Sequence, residues 1–275
     1  PITQMVKDCL ADSGMDAKAV LKCRNMFALG LVCWLFSRPI DQAVTFLESK
    51  FQKKPQLIAP NVKVLTDGFN YGNNLALNIQ TMNVEKSDQL PKGTYTSIAG
   101  NKATAWGLIA AAEKCGKRLF LGSYPITPAT DIMHELAARK DMGVMVVQAE
   151  DEIAGVCTAI GAAFAGDLAA TSTSGPGLSL KSEAIGLAVM AELPLVVVDV
   201  QRGGPSTGLP TKTEQSDLMQ ALYGRNGECP VVVIAASSPS DCFHYAFMAS
   251  KIAMEHMTPV MLLTDGFIAN GSEPW

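Results

Sequence analysis

The chain has 275 residues, of which 48% are hydrophobic and 17% charged, so a sizeable buried core is expected and global disorder is excluded. Lys and Arg number 22 against 26 Asp and Glu, and the surplus of acid lies after residue 92, where 11 basic side chains face 18 acidic ones. That acidic body lacks the clustered cations a phosphate backbone requires, which argues against a nucleic-acid partner.

Residues 1–75 read as helical. Arg24–Phe36 is apolar all round, the pattern of a buried helix. Its apolar core, Met26 to Phe36, is too short to span a bilayer, so no membrane span is expected. Ser37-Arg38-Pro39 supplies a capping residue and a first-turn proline for a second helix to about Phe51, which Lys53-Lys54-Pro55 stops. An amphipathic run from Asn61 to about Leu77 follows, completing an αα unit over residues 1–77. Residues 78–100 are polar, contain Pro91, Gly93 and Gly100, and read as a linker. The chain opens on Pro1 without a secretory leader, and a piece of a longer protein is expected.

From Asn101 the pattern becomes a regular alternation. Helices are expected at 102–115, 129–139, 151–165, 177–192, 216–223 and 239–255. Strands are expected at 118–122, 144–149, 169–173, 194–200, 230–235 and 259–264. Runs such as Val144-Met145-Val146-Val147 and Leu195-Val196-Val197-Val198 are apolar without alternation, as in strands covered on both faces. The fold class is α/β: an open, mostly parallel sheet with helices on both faces over residues 101–275, preceded by the helical segment.

The seven cysteines form no C-x-x-C pair, and His134, His244 and His256 form no H-x-x-x-H. Neither a zinc ribbon nor a ferredoxin-type cluster is expected on this chain, which reads as reduced and cytoplasmic.

Open α/β sheets bind ligands beyond the carboxyl ends of their strands. Four successive strand ends carry unusual sequence: Ser123-Tyr124-Pro125-Ile126-Thr127-Pro128, Glu150-Asp151-Glu152, Thr173-Ser174-Gly175-Pro176-Gly177, and Gln201-Arg202-Gly203-Gly204-Pro205-Ser206-Thr207-Gly208. Each has a plainer reading. Thr127 can cap a helix that Pro128 begins. The acids can complement a helix dipole, and successive helical positions lie about 100° apart, so at most one faces a shared ligand. Ser174-Gly175-Pro176-Gly177 can hold an anion on free N–H groups, but no Walker lysine or G-x-G-x-x-G accompanies it. No G-x-S-x-G elbow is present, which disfavours a serine hydrolase.

Taken together, Tyr124-Pro125-Ile126-Thr127-Pro128, the segment Glu150 to Gly155 with Gly161 and Gly166, and Thr173 to Gly177 resemble the α subunit of 2-oxoacid:ferredoxin oxidoreductases. Gln201 to Thr211 is closer to the 2-oxoglutarate branch than to the pyruvate enzymes. The resemblance covers about residues 95–275, as a thiamine-pyrimidine-binding domain, and residues 1–77 are similar to the C-terminal part of a fused γ domain.

The resemblance implies an oxidative decarboxylation of a 2-oxoacid to an acyl-coenzyme A, with ferredoxin as electron acceptor. Thiamine diphosphate would be shared with a β subunit that also brings Mg²⁺ and an iron–sulfur cluster. Glu152 matches the family's thiamine-activating glutamate, and Thr127 its substrate-contacting threonine. Arg202 is the candidate for the substrate carboxylate, because its fork suits one; Tyr124 is a further substrate contact. Pro125, Ile126, Ser174 and Gly175 would line the cofactor site. The alternatives are a non-catalytic assembly piece and a phosphate- or nucleotide-binding domain built on Gly175-Pro176-Gly177.

Overall fold

Six short apolar runs lie side by side as parallel strands, the arrangement expected of segments with no polar face to turn to water. The computed structural model describes residues 2–75, 80–85, 88 and 90–275. The chain divides into two compact units, Pro1–Lys92 and Gly93–Trp275.

The first unit holds α1 (Ile2–Cys9), α2 (Ala17–Lys22), α3 (Arg24–Leu35), α4 (Asp41–Lys50) and α5 (Ile58–Leu75). Asp16 caps α2, accepting from the amides of Lys18 and Ala19 at 2.9 Å each. α3 and α5 pack through glycine: a Cβ at Gly30 would lie 2.0 Å from the Leu65 carbonyl oxygen, and one at Gly68 2.1 Å from that of Phe27. The αα pairing is as expected, with two differences. α3 is buried along Phe27, Gly30 and Trp34 only, leaving Val32 and Leu29 exposed, because within this unit its partners cover one side. α4 starts at Asp41 and not at Ser37, whose φ of 51° takes the chain out of helix between α3 and α4.

In the second unit α6 (Gly100–Cys115) precedes β2 (Leu119–Ser123), α7 (Thr130–Ala137), β3 (Met145–Gln148), α8 (Glu152–Phe164), β4 (Leu168–Thr173), α9 (Gly175–Met190) and β5 (Leu195–Gln201). Then come α10 (Leu218–Tyr223), β6 (Val232–Ala235), α11 (Asp241–His256), β7 (Pro259–Asp265) and α12 (Gly266–Asn270). The parallel order is β3-β2-β4-β5-β7-β6. Successive side chains point to opposite faces, so Leu119, Leu121, Val196, Val198 and Leu262 pack with α6, α7 and α11, whereas Phe120, Ala169, Val197 and Met261 pack with α8 and α9. The result is a three-layer α/β/α core.

A strand β1 (Ser97–Ala99) and a strand β8 (Ser272–Pro274) pair antiparallel, with Ile98 opposite Glu273. β1 falls inside the segment expected to be a linker. Three residues are too few to show a period, and the partner is far away in the chain, so no local signal announces it. Residues 78, 79, 86, 87 and 89 of that segment, and the end of the helix expected to reach Leu77, lie outside the described residues.

From β2 the chain steps outward to β3 and then back past β2 to β4. The carboxyl ends of β2 and β4, Ser123 and Thr173, therefore flank a topological switch point.

Candidate functional site

Tyr124 follows β2 directly and is buried. Its hydroxyl lies 3.2 Å from Thr173 Oγ1 at the end of β4 and faces the Glu152 carboxylate. Burial first, and then the Glu152 carboxylate, drive the Tyr124 phenol far above its ordinary range, although the Thr173 bond opposes the shift.

Glu152 is the first residue of α8, and the helix start sorts the three acids. Asp151 is the cap: its carboxylate accepts from the Ala154 amide at 2.8 Å. Glu150 is exposed. Glu152 alone turns inward, onto the cleft wall. It is held there by α9, whose Gly177 fits closely against it. A Cβ at Gly177 would stand 2.2 Å from both Thr173 Oγ1 and the Tyr124 hydroxyl and 2.9 Å from Glu152 Cγ.

Ser174 takes the cap position of α9, fully buried, with its hydroxyl unpartnered. Gly175 opens the helix, but a carboxylate already occupies its neighbourhood. A Cβ there would lie 2.7 Å from Asp217 Oδ2. Asp217 is in turn paired with wholly buried Asp199 of β5. Burial, followed by the Asp217 charge, pushes Asp199 well above the usual carboxylate range, which favours its protonated form. The free N–H groups of α9 thus face acid. That electrostatics opposes an anion site on Gly175-Pro176-Gly177.

Arg202 follows β5 and is 8% exposed. Its Nη1 donates to the Thr127 carbonyl at 2.6 Å and its Nη2 to that of Thr207 at 2.7 Å, and Nε has no partner. The guanidinium makes no ion pair among the described residues. Arg202 ties the loop after β2 to the loop after β5. Gly208, at φ +54° and 2.0 Å from the Gly203 oxygen at its notional Cβ, lets that second loop close on itself. Thr127 is exposed and caps nothing: α7 begins only at Thr130, with Ala129 before it and no side-chain cap.

These strand ends enclose an open cleft of about 770 Å³. Ile126, Glu152, Gly175 and Arg202 are on its wall, beside Leu180 and Pro176. Tyr124 and Ser174 lie behind the wall, and Pro125 and Thr127 are exposed on the loop above it. Sequence reasoning passed over Asp199, Asp217 and Lys181, and named Thr173 only as part of a motif. Lys181 is wholly buried beneath Glu152, and nothing local announced it, since Ser179, Ser182 and Glu183 around it read as an ordinary polar helix face. The Asp199–Asp217 pair had no signal either, since the two acids meet only in the folded chain.

Residues 111–275 match the family model described as pyruvate flavodoxin/ferredoxin oxidoreductase, thiamine diP-bdg. A 2-oxoglutarate oxidoreductase subunit KorA of Mycobacterium tuberculosis is 55% identical over 262 residues, 95% of this chain and 40% of that protein. A 2-oxoglutarate synthase subunit KorA of Methanothermobacter marburgensis is 45% identical over 177 residues, 64% of this chain and 46% of that protein. Among solved structures, a 2-oxoglutarate:ferredoxin oxidoreductase from Magnetococcus marinus, with 2-oxoglutarate, coenzyme A and succinyl-CoA bound, superposes with a TM-score of 0.84 at 34% identity, over 98% of this chain and 45% of that one. The chain thus spans less than half the length of the relatives it matches. With the parallel sheet, the switch-point cleft and the family match over most of its second unit, this chain belongs to the pyruvate flavodoxin/ferredoxin oxidoreductase family of thiamine diphosphate-binding domains.

Proposed function

We propose that the chain is part of the α subunit of a 2-oxoglutarate:ferredoxin oxidoreductase, with Glu152 as its catalytic acid–base. The observation that carries this reading is the placement of Glu152 alone among three adjacent acids on the cleft wall at the switch point, beside Tyr124. The names of the relatives support the substrate and reaction class.

The wall fits one half of thiamine diphosphate. A carboxylate flanked by Ile126, Leu180 and Pro176 suits a flat aminopyrimidine with a basic ring nitrogen and apolar faces. The diphosphate half is not suited: the helix start that would receive it carries the Asp217 carboxylate. This favours a shared site, with a β subunit supplying the diphosphate and Mg²⁺ ligands and an iron–sulfur cluster. Bound there, thiamine diphosphate supplies the carbon nucleophile that allows a 2-oxoacid to lose carbon dioxide.

Glu152 holds and releases a proton at N1′ of the aminopyrimidine, a general acid–base role. Tyr124 stands beside Glu152 and meets the 2-oxoacid, while Ile126 and Pro125, with the start of α9 at Ser174 and Gly175, shape the ring's seat. Arg202 and Thr127 meet the 2-oxoacid: after its two backbone bonds the guanidinium retains Nε–H and one N–H on each Nη for a carboxylate. Coenzyme A receives the acyl group, ferredoxin takes the electrons, and the complex works in the cytoplasm. In this reading residues 1–77 are the end of a γ domain, and residues 101–275 the pyrimidine-binding domain.

In the complete enzyme, Glu152→Gln is expected to lower turnover by roughly 10²–10⁴ while leaving subunit assembly intact. Glu150→Gln, at an exposed position, keeps its rate. Steady-state assays of 2-oxoacid- and coenzyme A-dependent dye reduction, beside size-exclusion profiles, check this. Equal effects of the two substitutions would overturn the assignment, and normal turnover in Glu152→Gln would favour the non-catalytic assembly piece.

A further inference from the structure

Lys181 is among the largest fully buried side chains of the molecule. It sits on α9 and reaches back toward that helix's start, as helical side chains do. Its ammonium donates to the Glu152 carbonyl oxygen at 2.7 Å and stands 4.9 Å from the centroid of the Tyr124 ring. No carboxylate lies within ion-pair distance of it among the described residues. A buried cation is expensive, and a hydrophobic residue of similar volume would fill the same space without that cost. What the cation adds is its grip. Glu152 is the first residue of α8, where a helix has no preceding turn to hold it, and the Tyr124 hydroxyl and the Glu152 side chain both crowd Gly177.

We propose that Lys181 is a positioning residue for Glu152, its ammonium clamping the Glu152 backbone and the Tyr124 ring together so that the carboxylate keeps its aim into the cleft. The inference rests on the reading of Glu152 as the catalytic acid–base and adds a dependence on the charge of a residue that touches neither substrate nor cofactor.

The clamp is sensitive to pH. Burial pushes Lys181 down to about 8, against the opposing pull of Glu152, Asp151 and Cys157. These groups belong to α8 and its cap, and the phenol of Tyr124 faces Lys181 from the loop after β2. The strands β5 and β7, also packed on α9, add no charge that acts on it. As pH rises through that value the neutral amine keeps a donor but loses charge assistance and its attraction to the ring, both of which the cation supplied. The grip is therefore full below about pH 8 and weakens above it.

The test uses the complete enzyme with Lys181→Met, Lys181→Arg and, alongside, Glu152→Gln. Two quantities are followed from pH 6 to 10: kcat, and the affinity for thiamine diphosphate measured calorimetrically without 2-oxoacid. The native enzyme is expected to show an alkaline decline near pH 8 in both. Lys181→Met should lower kcat by about tenfold or more, the equivalent of one charge-assisted bond, and abolish the decline. Lys181→Arg, charged throughout the range, should carry the decline beyond pH 10. A decline that persists unchanged near pH 8 in either variant overturns the proposal, as does full kcat in Lys181→Met. Where Lys181→Met does not fold, Lys181→Arg alone decides. Glu152→Gln separates the two readings: full turnover there removes the catalytic role of Glu152, whereas an unmoved decline in the Lys181 variants removes only the clamp.

Discussion

Arg202 shows how much a single side chain can hold when its donors point at backbone. Two of its five N–H groups join carbonyl oxygens on loops from different strands, at 2.6 and 2.7 Å. Arg202→Lys keeps the charge but can span only one of those carbonyls, so the Thr127 loop and the Thr207 loop separate. The expected outcome is a KM for the 2-oxoacid raised roughly ten- to a hundredfold, the equivalent of a lost charge-assisted bond, with melting temperature lowered as well. Thr127→Val should raise KM more gently and leave melting temperature unchanged, because Thr127 is exposed and its side chain caps nothing. Steady-state kinetics and thermal melts of both variants check this. A normal KM with lowered stability in Arg202→Lys would confine that residue to tying the loops. Asp199 makes a second residue-scale case. Its folded pKa is raised by burial and by Asp217, so the folded state holds a proton that the unfolded chain releases near pH 4. That contribution is full below the unfolded value and is lost as pH rises through the folded one. Asp199→Asn keeps the shape without the ionisation, so its melting temperature should fall less between pH 5 and 8 than that of the native chain. Parallel melting curves across that range would refute a protonated Asp199.

At the scale of elements, the site depends on how closely α9 approaches α8 and β4. Gly177 sets that distance. An alanine methyl there would meet Thr173, Tyr124 and Glu152 at once, at 2.2, 2.2 and 2.9 Å. None of the three is a free-swinging chain end: Thr173 belongs to a wholly buried strand and Tyr124 is buried beneath Lys181. Overpacking of this kind costs about 1–3 kcal/mol, which is roughly 2–10 °C in melting temperature for a domain of this size. Gly177→Ala is accordingly expected to lower both stability and turnover, and thermal melts beside activity assays check it. Gly161→Ala in the same unit is the comparison: nothing lies within 4 Å of its notional Cβ, and neither property should fall. If Gly177→Ala behaved like Gly161→Ala, the close approach of α9 would not be what aims Glu152.

At the scale of the whole molecule, exposed apolar residues gather on the layer that carries the site. Ile153 and Phe164 on α8, and Leu180, Leu187 and Met190 on α9, are all at least half exposed, Met190 reaching 83%. α8 and α9 pack against each other, so these side chains share one face of the sheet. Contiguous apolar surface of this sort marks an interaction face. The isolated chain is expected to self-associate as concentration rises, and to bind thiamine diphosphate with Mg²⁺ weakly, because the start of α9 faces the Asp217 carboxyl and not an open anion seat. Light scattering across a concentration series and calorimetric titration check the two. A strictly monomeric profile would count against the interaction face, and micromolar binding without a partner would refute the shared site.

The alternation of elements after Asn101, the parallel sheet and the four strand ends that gather around the cleft were all legible in the sequence. Apolar runs, capping residues and Gly-Pro turns are local patterns, and the family motifs are contiguous in the chain. The 100° spacing of helical positions does not apply to Glu150 and Asp151, because α8 begins only at Glu152; the helix start itself separates the three acids. Tertiary structure alone decided the rest, because each remaining feature depends on groups brought together from distant segments. The pairing of β1 with β8, the meeting of Asp199 with Asp217, the seat of Lys181 under Glu152 and the use of Arg202 on two carbonyls have no local period to betray them. Burial decides their chemistry: a lysine or an aspartate written in the sequence acquires its charge state and its reach only when folding removes the water around it and fixes what stands opposite.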